Sequence, residues 1–173
     1  SGPGIVVIDD LLSPDALAGL RRFFLRSTIR YDFRHRGGYL GAYLGEGIAT
    51  PLLIQIAEAL RRRLPTLLAA HPLRQLWAYK YDSTLTGIGM HADFAAVNMN
   101  FWVTPDAANL DPGSGGLRLH TVEAPRDWTF ADYNANPEKI RAYLERHPGR
   151  EIVVPYRANR AVLFNSDLFH ATD

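Results

Sequence analysis

His91 and Asp93 stand two residues apart, and His170 follows an apolar stretch far downstream. Two imidazoles and one carboxylate can hold one face of an Fe(II) ion and leave the opposite face open for reaction. The short motif by itself carries little weight. With 6 His and 12 Asp among 173 residues, chance supplies about 0.4 His-x-Asp matches. Its setting carries more. Gly87-Ile88-Gly89-Met90 leads into His91, residues 94–103 read as a strand leaving Asp93, and residues 161–169 read as strand-like up to His170. Both arms of the triad thus fall at strand edges, where a rigid sheet can aim ligands. The competing readings are a solvated aspartate with two ordinary histidines, and a zinc site doing hydrolysis. No Glu lies close to the motif as a general base, which counts against the second.

The elements that must position these residues divide the chain. Ile5 to Ile8 is a short β-branched strand. Ser13-Pro14-Asp15 then starts a helix, with Ser13 as N-cap, Pro14 in the first turn and Asp15 favoured by the helix dipole. Its apolar face runs through Leu17, Leu20 and Phe24 to about Arg26. Thr50-Pro51 starts a second helix, in which Leu52, Ile56, Ala59, Leu60 and Leu64 recur at helical spacing until Pro65 ends it. Between the helices, residues 31–47 carry five glycines within eleven residues, interleaved with tyrosines and arginines. Such a segment reads equally as a mobile flap or as a twisted hairpin with exposed tyrosines.

From Leu76 onward the pattern turns to strands. Trp77 to Tyr81 alternates, and Val97 to Val103 alternates more clearly, with Asn98, Asn100 and Trp102 on one face. Two asparagines on one strand face cost free energy in a dry core unless hydrogen-bonded, either to backbone or around a polar cavity. Residues 111–116 form a turn and 117–122 a strand. Residues 128–134 read as irregular, and Asn136-Pro137-Glu138 caps a helix reaching about His147. Strands resume at 151–154 and 160–164. The expectation is one domain, 1–173, mainly β with flanking helices. Residues 1–75 would supply helical support and the flap, and 76–173 a β-sandwich or jelly-roll core with a helical insertion at about 124–149.

Composition narrows the partners. Hydrophobic content of 47% supports a real core, and zero cysteines exclude disulfides, zinc thiolates, iron–sulfur clusters and cysteine nucleophiles. Net charge is +1, with 17 Arg and 2 Lys, which gives no electrostatic case for nucleic acid or acidic membranes. Arg61-Arg62-Arg63 complements a helix C-terminus. No apolar run approaches the ~20 residues of a membrane span. With no export signal, the cytoplasm is the expected compartment.

Taken in order, these pieces resemble the 2-oxoglutarate- and Fe(II)-dependent oxygenases, in particular the prolyl 4-hydroxylase-like branch. Residues 5–13 are similar to the strand and loop before that branch's first helix. Tyr81, Gly87, Gly89 and His91-Ala92-Asp93 resemble its approach to the metal. Gly115-Gly116-Leu117 resembles its Gly-Gly-x-Leu turn, and residues 160–164 followed by His170 resemble the strand pair that delivers the distal histidine. The resemblance implies a double-stranded β-helix with iron held by His91, Asp93 and His170. It implies 2-oxoglutarate as cosubstrate, dioxygen as oxidant, and hydroxylation of a substrate coupled to oxidative decarboxylation. Tyr81 matches a tyrosine that hydrogen-bonds the cosubstrate in that branch. Asn98 and Asn100 are cavity-lining candidates by alternation alone.

One departure stands out. The family usually binds the far carboxylate of 2-oxoglutarate with an Arg or Lys on the strand after the distal histidine, whereas only Ala171-Thr172-Asp173 follow His170 here. The expectation is a jelly roll lacking its last strand in this version, with a natural chain that continues. Arg118, Arg157 and Arg160 are substitute cations, none at the family position. The leading substrate is a protein side chain such as proline. The alternatives are a small-molecule hydroxylase of the same superfamily or an inactive jelly-roll binding module within a longer chain. Trp128, Tyr133 and Tyr143 are expected to pack the insertion onto the domain, His35 is a candidate substrate contact, and His71, His120 and His147 read as loop, strand-surface and helix-end residues.

Overall fold

Hydroxyl caps and inward-set prolines fix where the long helices begin. Ser13 accepts from the Ala16 N–H at 3.3 Å and Thr50 from the Leu53 N–H at 3.4 Å, each just ahead of a proline that has no N–H to lose. The computed structural model describes residues 4–30, 39–81 and 87–172. Within them α1 spans Pro14–Arg26 and α2 spans Pro51–Arg63. Pro65 does more than stop α2, since it opens a further turn of helix, α3 (Pro65–Leu68). No helix among the described residues is long and apolar enough to cross a membrane.

Among the described residues, contacts gather those of 1–11 and 88–173 into one compact unit and those of 12–87 into another. The second unit holds α1 to α3 and a two-stranded antiparallel sheet. That sheet pairs β2 (Tyr39–Tyr43) with β3 (Trp77–Tyr81), Tyr39 opposite Tyr81 and Tyr43 opposite Trp77. Alternation places Tyr39, Tyr43, Trp77, Tyr79 and Tyr81 on one face, where Tyr39 and Tyr79 meet at 4.6 Å between ring centres. The latter part of the glycine-rich segment is therefore a strand whose partner lies well downstream. Its earlier part, residues 31–38 with His35, lies outside the described residues.

The first unit contains two three-stranded antiparallel sheets. One has the order β1 (Ile5–Ile8), β7 (Ala161–Asn165), β4 (Val97–Phe101); the other has β6 (Glu151–Val154), β5 (Leu117–Glu123), β8 (Leu168–Thr172). The N-terminal strand thus belongs with the downstream strands, Ile5 opposite Phe164. Inward-facing Val162 and Phe164 from one sheet meet Leu117, Leu119, Val154 and Leu168 from the other in a single apolar core, with Ile5, Trp102 and Ile152 at its rim. The architecture is mainly β with some helices.

What reads in sequence as one run before His170 is two strands, β7 and β8. The turn between them, Ser166-Asp167, carries the chain from one sheet to the other. Gly115 and Gly116 explain the abrupt entry into β5. Gly115 holds φ +85°, and a Cβ on Gly116 would lie 2.4 Å from the Val154 carbonyl oxygen. Residues 128–134, irregular by sequence, contain a short helix, α4 (Phe130–Asn134), ahead of α5 (Pro137–Arg146). The Asp132 carboxylate closes its first turn by accepting from the Thr129 N–H at 2.9 Å and hydroxyl at 2.8 Å.

Candidate metal centre

His170 lies in the middle of β8, and His91 stands directly across from it. The two residues exchange backbone hydrogen bonds as an antiparallel bridge. Two residues on, the Asp93 N–H donates to the Ser166 carbonyl at 3.1 Å. Alternation then does the sorting. Ala92 and Phe169, both essentially inaccessible, turn into a cluster with Ile140, Trp128, Tyr133 and Tyr143 of the insertion, while His91, Asp93 and His170 turn the other way. The strand begins only at Val97, and residues 94–96 bend between the carboxylate and β4.

One ligand-capable atom from each of His91, Asp93 and His170 lies within 4.8 Å of the others. Ring orientation is fixed from behind. His91 Nδ1 is 2.8 Å from the Gly89 carbonyl and His170 Nδ1 is 3.0 Å from the Leu168 carbonyl. A carbonyl can only accept, so each Nδ1 must carry a proton and, in the neutral ring, each Nε2 is left with a free lone pair. Those two lone-pair nitrogens face the carboxylate, His91 Nε2 at 3.7 Å from Oδ1 and His170 Nε2 at 3.4 Å from Oδ2. The Phe164 ring packs edge-on against His170 at 4.8 Å. Neutral imidazoles with backbone-anchored Nδ1 and an ionised carboxylate form the donor set that a divalent first-row metal takes.

Electrostatics acts on the same groups. Burial, with the neighbouring His170 charge, pushes the His91 imidazole below its ordinary value, against the opposing pull of Asp93. Burial would raise the Asp93 carboxyl. A hydrogen bond from His170 and the charges of His91 and His170, all of which require protonated rings, together with the Asn98 amide outweigh it and hold that carboxyl below the usual range.

Asn98 is where alternation placed it, on the inner face of β4, and its Nδ2 donates to Asp93 Oδ2 at 2.5 Å. It therefore touches the carboxylate rather than merely lining a cavity. Asn100 lies on the same face two residues along, opposite Val162 of β7. The exposed side of β4 is the one with Met99, 37% accessible, so the polar face points inward. Tyr81 belongs to the other unit, packed against Tyr39 and Tyr79. There burial, with Tyr39 alongside, pushes its hydroxyl above the ordinary phenol range.

The insertion supplies contacts that sequence reasoning missed. The Ala92 N–H donates to the Tyr133 carbonyl at 2.8 Å, and Asn134 Nδ2 donates both to the Ala92 carbonyl at 2.9 Å and to Asp93 Oδ1 at 3.2 Å. No spacing rule marks Asn134; it reads as one more polar residue before a helix cap. Trp128 and Tyr143 each pack against Phe169 of β8 at 6.2 Å between ring centres, so the aromatic residues do seat the insertion. Of the other histidines, His147 ends α5 stacked on Tyr143 at 4.1 Å, His71 is exposed in a loop, and His120 is half-buried on β5 opposite Glu151.

The three arginines considered as cosubstrate anchors are committed elsewhere. Arg160 and Arg157 bind Asp9 at 2.6 and 2.7 Å, Arg157 reaches Asp10 at 3.2 Å, and Arg118 binds Glu151 at 2.8 Å. The first network pins the β1–α1 loop to the β6–β7 loop, where the Leu11 N–H also donates to the Asn159 carbonyl at 3.1 Å. Each guanidinium already has its carboxylate, which removes the reason for assigning any of them to a second one.

The sequence matches no protein-family model and no curated protein. Its structure is similar to that of a prolyl-4-hydroxylase from Pseudomonas putida, at 14% identity over 98% of this chain and 84% of that one, with a TM-score of 0.59. It is similar to HygX from Streptomyces hygroscopicus, solved with nickel, 2-oxoglutarate and hygromycin B, at 16% identity over 98% and 76% with a TM-score of 0.60. It is also similar to SnoN, a non-haem α-ketoglutarate-dependent epimerase from nogalamycin biosynthesis, at 16% identity over 97% and 69% with a TM-score of 0.60.

Proposed function

From a chain that has the fold of the Fe/2-oxoglutarate oxygenases, we propose an Fe(II)- and 2-oxoglutarate-dependent dioxygenase of the jelly-roll type. The observation that carries this reading is the direction of the two imidazoles: both Nε2 atoms face Asp93 while both Nδ1 atoms are held by backbone carbonyls. His91, Asp93 and His170 would hold the ion. When bound, iron with its keto-acid cosubstrate supplies the oxidising chemistry that no protein side chain can provide.

The chain's own part is positioning. His91 offers a nitrogen that burial guards against protonation, His170 turns a second Nε2 to the same carboxylate, and the depressed Asp93 carboxyl offers a charged oxygen throughout the neutral range. Asn98 steadies one carboxylate oxygen. We assign cosubstrate contacts to Tyr81 and, on the inner face of β4, to Asn98 and Asn100. The leading substrate is a protein side chain such as proline, supported by the Pseudomonas putida neighbour. A small-molecule substrate is supported by HygX and SnoN, and both classes belong in the first screen.

Anaerobic titration of the protein with Fe(II) and 2-oxoglutarate should produce the weak visible charge-transfer band of a chelated keto acid. Succinate should then form on admitting oxygen with a substrate. A metal-loaded protein without the band would overturn the proposal.

A further inference from the structure

We infer that Asn134 is a positioning residue for the metal carboxylate, reaching from the helical insertion to form, with Asn98, a two-sided amide clamp on Asp93. The inference rests on the metal reading above and extends it to a residue outside the ligand set. Asn98 holds Oδ2 from β4, and Asn134 holds Oδ1 from the end of α4 while also binding the carbonyl of Ala92, the residue between the two upstream ligands.

The orientation of the Asn134 amide is not arbitrary. Its two partners, a backbone carbonyl and an ionised carboxylate, only accept, so the NH2 end must face them. With the two carboxylate oxygens each taking one amide N–H, rotation of Asp93 about its side-chain bonds would break a hydrogen bond to a charged group whichever way it turned. The same face of the insertion binds the backbone of the ligand segment, since Tyr133 accepts the Ala92 N–H. Behind these contacts Trp128, Tyr133, Tyr143 and Ile140 pack on Ala92 and Phe169, so α4 cannot shift without disturbing both ligand-bearing segments. The insertion therefore acts on the metal centre through Asn134, and its length and helical form serve the site as well as the surface.

Groups that orient a metal's carboxylate typically change metal affinity about 10- to 100-fold when removed. Cobalt(II) titration of the purified chain, followed by its visible absorption, reads this directly. Wild type should bind cobalt, and Asn134→Ala should bind about 10- to 100-fold more weakly with an altered visible spectrum, while its metal-free form keeps the far-ultraviolet circular dichroism of wild type. A readout without mutation covers the case in which Asn134→Ala is too unstable to load. In wild type, adding zinc should shift the Asn134 side-chain 15N resonance, because the metal draws charge from the oxygen it donates to. Wild type that binds neither metal would overturn the metal reading and the clamp together. Wild type that binds, with Asn134→Ala equal to it or with an unmoved Asn134 resonance, would overturn the clamp alone.

Discussion

His91 and His170 bond to each other through their backbones, N–H to carbonyl in both directions, at 2.9 and 2.8 Å. The spacing of the two imidazoles is therefore set by a β-bridge and not by the imidazoles themselves; their ring centres lie 4.3 Å apart. Replacing either side chain leaves the bridge in place. We expect His91→Ala to retain the wild-type circular dichroism spectrum and yet lose more than about 100-fold in cobalt affinity, beyond the range for residues that only support ligands. Circular dichroism checks the first half and isothermal titration with cobalt(II) the second.

The metal-free protein should lose stability as pH falls through the ordinary imidazole value of 6.5. In the unfolded chain His91 takes up a proton there, whereas burial and His170 depress its affinity for protons in the fold. The unfolded state thus binds more protons in that window, and the slope is at most about 1.4 kcal/mol per pH unit for one group. Urea melts between pH 8 and 5 in the presence of a chelator should show this fall, and His91→Gln should flatten it. Equal slopes for the two proteins would contradict the assignment.

Asp132 makes a separate prediction at lower pH. Hydrogen bonds from Lys139 and from the Thr129 N–H and hydroxyl lower its pKa from 3.8 to about 2. The stability it contributes is complete above 3.8 and disappears as pH falls toward 2. Asp132→Asn removes that acid-sensitive component, so the difference in melting temperature between variant and wild type should shrink as the pH drops from 4 to 2. Differential scanning calorimetry across that interval measures it.

Gly116 has no room for a methyl group. A Cβ there would meet the Val154 carbonyl oxygen at 2.4 Å and Pro155 Cα at 3.2 Å, both backbone atoms. Gly116→Ala should cost roughly 1–3 kcal/mol through forced backbone displacement. For a chain of this size that is a fall of several degrees in melting temperature, about 2–4 °C per kcal/mol. A melting temperature within one degree of wild type would show that the β5–β6 pair yields more easily than its register suggests.

The three candidate ligands were legible because each is a chemically unusual residue beside a recognisable strand or glycine turn. Helix starts were equally legible, since Ser13-Pro14, Thr50-Pro51 and Asn136-Pro137 are local signals with local causes. Strand partners were not, because pairing is a long-range choice. Ile5 meets Phe164, and Tyr39 meets Tyr81, and nothing within either strand says so. The helix at 130–134 escaped notice because it is five residues long and depends on Asp132 folding back on Thr129. Asn134 escaped for a related reason: its partners, Ala92 and Asp93, lie some forty residues upstream.

The two-residue turn at Ser166-Asp167 has a consequence for dynamics. It couples β7, buried along nearly its whole length, to the strand that carries His170. Amide exchange at Phe169 and His170 should then proceed only through opening of the entire sheet pair, as slowly as at Val162 and Leu163. His170 is then offered from a strand with no independent opening, so an ion placed there would enter and leave against a fixed distal imidazole.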